Sequence, residues 1–188
     1  LPTVLANYTK FRGFMVQKNY AASRGYGGGI QNKIGGASPH KLTALLYSEI
    51  VKCLKDALVY LAQIDQYRGI ADKLTENRDK TFGPANQSAI MKRAKVMREV
   101  NRLTAIKGDV LTKVNNITAH LRNTLNDSAY PELCSDLRKL YAFIEYKSTC
   151  CIIRHDEQAV KDALKIAIEL LNSWNTIPVK YHYVTNSR

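Results

Sequence analysis

Apolar residues recur at helical spacing through four separate stretches of the chain. Leu42, Leu45, Leu46, Cys53, Leu54, Ala57, Leu58 and Leu61 mark one face of a first helix, about 39–63. Ile90, Ala94, Met97, Val110, Val114, Ile117, Leu121 and Leu125 mark a second, about 89–126, which Gly108 could bend or split. Leu133, Leu137, Leu140, Tyr141 and Ile144 mark a third, about 131–154, and Val160, Ala163, Leu164, Ala167, Leu171, Trp174 and Ile177 a fourth, about 156–177.

The boundaries carry their own chemistry. Ser38-Pro39 places a preferred cap before a proline suited to the first helical position, and Pro131 opens the third helix in the same way. Asp156 can cap the fourth helix, and Pro178 ends it, leaving 178–188 as a loose tail. Residues 64–88 lose the periodicity and run into Phe82-Gly83-Pro84, so they read as a long connection. The first 37 residues hold seven of the ten glycines and read as a flexible arm. Short turns between the second, third and fourth helices make neighbours antiparallel. The expected fold is an all-α antiparallel four-helix bundle over 38–177.

Composition narrows what such a bundle does. No stretch of about 18 apolar residues exists to insert in a membrane, and residues 1–20, interrupted by Lys10, Arg12 and Lys18, offer no apolar signal run, so a cytoplasmic location is expected. His40, His120, His155 and His182 are scattered, and the predicted inner faces carry no carboxylates, so neither a metal nor acid–base catalysis is expected. The glycine run RGYGGGIQNKIGG follows no strand and lacks Gly-Lys-Ser/Thr. Cys53, Cys134, Cys150 and Cys151 form no C-x-x-C pair and read as small buried hydrophobes. The chain reads as a binding protein without cofactors and not as an enzyme.

Charge is unevenly placed. The formal net charge is +12, and residues 1–41 carry six Lys/Arg with no acid. Residues 42–87 carry six of each sign, and 88–113 carry seven basic against two acidic residues. The remainder, 114–188, is nearly neutral, with nine against eight. An apolar client is expected on the neutral part.

IGGASPHKLTALLY (34–47) resembles the start of the flagellar export chaperone family FliS, through Ile34, Ser38-Pro39, Lys41-Leu42 and Leu46-Tyr47. VNNITAHLRNTLND (114–127), LCSDLRKLYAFIEY (133–146) and ALKIAIELLNSWNTI (163–177) resemble its later helices in the same order. Residues 64–110 look inserted relative to that family, and the chain is more basic than its members. The resemblance implies a chaperone that binds the disordered C-terminal segment of flagellin, prevents premature polymerisation and delivers it to the flagellar export gate. The matches put flagellin contacts on Ile117, Leu121, Leu125, Leu137, Tyr141 and Ile144 in one groove, and on Leu164, Leu171 and Trp174 in a second. Tyr26 and Ile34 would form a lid from the N-terminal arm. A different reading, a basic helical nucleic-acid-binding or regulatory protein, rests on Lys92, Arg93, Lys95, Arg98 and Arg102 with the Arg-Gly-Tyr-Gly arm. A structural piece of an oligomer is a third, resting on the long second helix.

Overall fold

The computed structural model describes residues 38–79, 84–128, 130–179 and 182. The arm with Tyr26 and Ile34 and most of the C-terminal tail therefore lie outside the described residues. Four helices follow in chain order: α1 (Pro39–Asp79), α2 (Pro84–Asn123), α3 (Pro131–Arg154) and α4 (Glu157–Asn175). Each packs on its neighbour, α1 on α2, α2 on α3 and α3 on α4, and α4 closes the ring against α1. The result is an up-down-up-down bundle, the solution short turns impose on amphipathic helices.

Local chemistry sets the helix starts. Ser38 accepts the Lys41 N–H at 3.3 Å through its hydroxyl, and its carbonyl receives the Leu42 N–H at 3.0 Å. Asp156 accepts the Ala159 N–H at 3.0 Å, satisfying a donor that the first turn of α4 leaves free. Pro84 and Pro131 sit at first helical positions, where a missing N–H costs nothing.

The main core is continuous across all four helices. Ile50, Leu54, Ala57 and Leu61 of α1 meet Leu111, Val114, Ile117 and Leu121 of α2. Tyr141, Ile144 and Cys151 of α3 and Val160, Ala163 and Ala167 of α4 close it. Three ion pairs fasten successive helices from outside: Lys113–Glu49 at 2.6 Å, Arg122–Glu145 at 2.8 Å and Lys147–Asp162 at 2.6 Å. All three are at least partly solvated, so water screens them and each adds little to stability.

The region 64–88 corrects the sequence reading. It is not a long connection: α1 continues to Asp79, and α2 begins at Pro84 rather than near 89. Beyond the bundle these two helices run on as an antiparallel pair, with Ile64, Val100 and Leu103 buried between them. Tyr60, Tyr67 and Met97 pack against that second core. A helix in a two-helix pair buries only about two positions in seven, whereas one in a four-helix core buries three or four. Ile64, Tyr67, Ala71 and Leu74 follow the narrower spacing of 3, 4 and 3. Such a stripe is too thin to register as a broad apolar face.

Gly108 does not split α2, which is continuous through it. A Cβ at Gly69 or Gly108 would meet nothing within 4 Å. Both glycines therefore carry the backbone-entropy cost of a helical glycine with no steric reason for it. Gly69→Ala and Gly108→Ala should each raise the unfolding free energy by about 0.5–1 kcal/mol, read from urea-unfolding midpoints. A loss of stability in either variant would show that the helix is locally distorted at that position.

Candidate binding surface

Helix α4 is built with its small residues inward. Ala159, Ala163 and Ala167, at i, i+4 and i+8, are buried at 1% exposure or less. The absence of bulk on this line lets α4 lie close to the core. Its larger side chains are displaced to the flanks: Leu164, Ile166, Ile168, Leu170 and Leu171 are only half-buried, each touching the core from the side. Asp162 fixes which flank is which, because it binds Lys147 of α3. Ile166 and Leu170 continue that line, one and two turns on, towards α3. Leu164, Ile168 and Leu171 form the opposite line, towards α1.

On α1 the facing line starts at His40, which touches α4 directly. Ala44, Val51 and Leu58 follow at i+4, i+11 and i+18, so they lie on the same side of the helix. Ala44 and Leu58 are half-buried and Val51 is 9% exposed. The α1/α4 seam is thus a furrow of aliphatic side chains some 18 residues long, or about 27 Å. Among the described residues no ion pair crosses it, in contrast to the other three helix junctions.

One end of the furrow is locked. The Trp174 indole N–H donates to the His40 carbonyl at 2.9 Å, and the His40 Nε2 pairs with the Trp174 carbonyl at 2.9 Å. The two rings stack at 5.3 Å, and His182 stacks on the other face of His40 at 3.6 Å. Beneath them Tyr47 meets Trp174 edge-on at 5.8 Å, and the hydroxyls of Tyr47 and Tyr141 hydrogen-bond to each other. Burial pushes the Tyr141 phenol well above its usual range, so it stays protonated throughout.

The sequence-derived contacts fall into two groups. Ile117, Leu121, Tyr141 and Ile144 are at most 1% exposed, and Leu125 and Trp174 are 8% and 6% exposed. In the chain alone these six are core residues and do not line an open groove. Leu137, Leu164 and Leu171 are half-buried at the surface of the core. Ile168, Leu58 and Ala44 join the furrow without having been singled out from the sequence. The available signal was the all-alanine inner line of α4, which implies that its leucines and isoleucines lie to either side. Among the described residues no cluster of His, Cys, Asp or Glu is placed to hold a metal ion. No helix there is long and apolar enough to cross a membrane.

A family model described as flagellar protein FliS matches residues 88–181, half of the chain. The matched span takes in most of α2 and all of α3 and α4. Of the segments that carry the resemblance, 114–127, 133–146 and 163–177 lie inside it and 34–47 lies outside; the match also takes in 88–110, part of the stretch read from the sequence as inserted. Neither the curated proteins nor the solved structures give a match.

Two predictions follow from the locked end. Tyr47→Phe should cost about 1–3 kcal/mol, because the Tyr141 hydroxyl is then buried without its partner. The double variant with Tyr141→Phe should recover part of that loss, which a double-mutant cycle of urea midpoints measures. The second concerns pH. His40, His120 and His155 are all held below the ordinary 6.5, chiefly because burial disfavours the charged ring. A depressed histidine leaves stability intact above its unfolded pKa. As pH falls from there through the folded value, the unfolded chain binds more protons and stability is lost. The urea midpoint should therefore be lower at about pH 5.5 than at about pH 7.5. His40→Gln should flatten part of this slope, and a midpoint that stays constant over the window would contradict the burial argument.

Proposed function

The chain belongs to the FliS family of flagellar proteins, and on that premise we propose that it holds the C-terminal segment of flagellin along the α1/α4 furrow. The family is one of flagellar export chaperones, so the role is one of binding and handover rather than chemistry. The observation that carries the finer reading is the half-buried aliphatic furrow, uncrossed by ion pairs among the described residues, beside a helix whose inner line runs through Ala159, Ala163 and Ala167.

The physics suits a client that is disordered alone and helical in its filament. An amphipathic segment entering the furrow covers Leu164, Ile168 and Leu171 on one wall and Ala44 and Leu58 on the other. This is helix-in-groove recognition with folding coupled to binding. Burying on the order of 2,000 Å² would supply the gross gain, from which ordering the client subtracts several kcal/mol. The complex is then specific yet releasable, as delivery to an export gate in the cytoplasm requires. While held, the client's apolar face is unavailable for premature polymerisation. Leu137 of α3 extends the apolar surface. Ile117, Leu121, Leu125, Tyr141, Ile144 and Trp174 support the furrow from beneath.

Calorimetry with a peptide of the flagellin C-terminus should show binding with a large negative heat-capacity change and weak salt dependence. Leu164→Asp with Leu171→Asp should weaken it at least about thirtyfold, or about 2 kcal/mol, while far-UV dichroism stays helical. Ile144→Asp should instead unfold the bundle. A folded double variant that binds the peptide with unchanged affinity would place the client elsewhere.

A further inference from the structure

The paired extension of α1 and α2 carries charge that the client furrow does not use. Residues 84–108 of α2 hold six cations, Lys92, Arg93, Lys95, Arg98, Arg102 and Lys107, against one acid, Glu99. The facing part of α1, 65–79, holds three cations and four acids. The extension is therefore basic along one helix and close to neutral along the other. Arg102 binds Glu99 in its own helix at 2.6 Å, and Arg93 donates to the Thr75 hydroxyl at 2.9 Å. Among the described residues no carboxylate comes within ion-pair distance of Lys92, Lys95 or Arg98.

Met91, Lys95, Arg98 and Arg102 stand at i, i+4, i+7 and i+11, a single row on the side of α2 away from α1. All four are exposed. Like charges at these spacings repel, so the row lowers the stability of the helix that carries it. At the distal end Ile90 is 50% and Met91 70% exposed, two aliphatic side chains held in water beside Lys92. A row of cations ending in exposed aliphatic groups matches a flat anionic surface with an apolar layer beneath its phosphates. Nucleic acid would use the cations but offers the methionine and isoleucine nothing, and the row contains no aromatic ring for base stacking.

We propose that the outer face of the α1/α2 extension is a docking surface for anionic lipid headgroups, with Lys95 and Arg98 meeting phosphates and Met91, on the same row, dipping below them. The contact is peripheral, since no described helix can span a bilayer. Met91 lies about 24 Å along α2 from Lys107, where the bundle begins, so the furrow stays open while the extension is docked. The inference rests on this face alone and does not depend on where flagellin binds.

The test is flotation of the full chain with vesicles of one part phosphatidylglycerol to two parts phosphatidylcholine, against vesicles of phosphatidylcholine only. Partition should favour the anionic vesicles and fall sharply between roughly 50 and 300 mM salt. Lys95→Glu with Arg98→Glu should lower it at least about tenfold, and Met91→Ser about threefold. The basic N-terminal arm is present in every protein compared, so these differences belong to the extension. Dichroism controls for folding, and Arg98→Gln alone, a milder change, should give an intermediate loss. Equal partition to neutral vesicles, or anionic partition unaltered by the charge reversal, overturns the proposal. So does tighter binding of a single-stranded RNA at the same salt that Met91→Ser leaves unchanged, since the row would then belong to nucleic acid.

Discussion

A buried lysine decides where the four-helix core stops. Lys107 is 1% exposed, yet its ammonium lies among helices rather than in water. Its Nζ donates to the Cys151 carbonyl at 2.8 Å, in the last turn of α3. A helix C-terminus leaves carbonyls unpaired and carries a partial negative charge, so it is the one feature of a helical core that can hold a cation. His155 follows in the left-handed conformation, φ 59°, turning the chain into α4. Its ring comes 3.3 Å from the same Nζ on one side and 3.4 Å from Asp65 of α1 on the other. Burial pulls the Lys107 pKa down, and the nearby Arg68 pulls it further. α1, α2 and the end of α3 are thus tied at one level. Past it, α1 and α2 have only each other to bury against.

That change in partner number explains much of the architecture. Below Lys107 each helix meets two neighbours and needs a wide apolar face. Above it a seam of alternate threes and fours suffices, and everything else on the helix surface is free to carry charge. The basic row on α2 could not stand in the bundle, where the same positions would face neighbouring helices. The locked end has the opposite character. There His40 and Trp174 exchange hydrogen bonds across the α1/α4 junction and hold the furrow closed at that point. The rest of the junction depends on apolar contact alone.

The bundle was legible in the sequence because a broad stripe repeats over several turns and proline and serine mark its starts. The extension was not, since Ile64, Ala71, Val100 and Leu103 are too sparse to stand out from charged neighbours. Lys107 interrupts the pattern at a seam position, and only tertiary context shows it as a cap for another helix. The family was readable from short segments such as LCSDLRKLYAFIEY (133–146), which lies within the matched span. Contact residues were a different matter. Ile117, Tyr141 and Ile144 lie on real apolar faces, but periodicity gives the face and not its depth, and these three are at its centre. Tyr47, of the Leu-Tyr pair in the first resembling segment, is 1% exposed for the same reason. Depth is encoded in side-chain size: alanines at the middle of the α4 face mean that leucines at its margins remain within reach of a partner.

Charge and apolar surface are kept apart for an energetic reason. When a client covers a furrow, any ammonium or guanidinium beside it must shed water, and that desolvation offsets the gain from burying the aliphatic groups. Across three junctions charged side chains pair with one another, and among the described residues no ion pair crosses the fourth. The extension faces no such constraint, because a headgroup layer is itself hydrated and the cations lose little solvent on meeting it. A long paired helix separates the two environments. On this view the extension is no ornament on an export chaperone. It places Lys92 and Lys95 about 18–23 Å along α2 from the level of Lys107, beyond the screening length of about 8–10 Å.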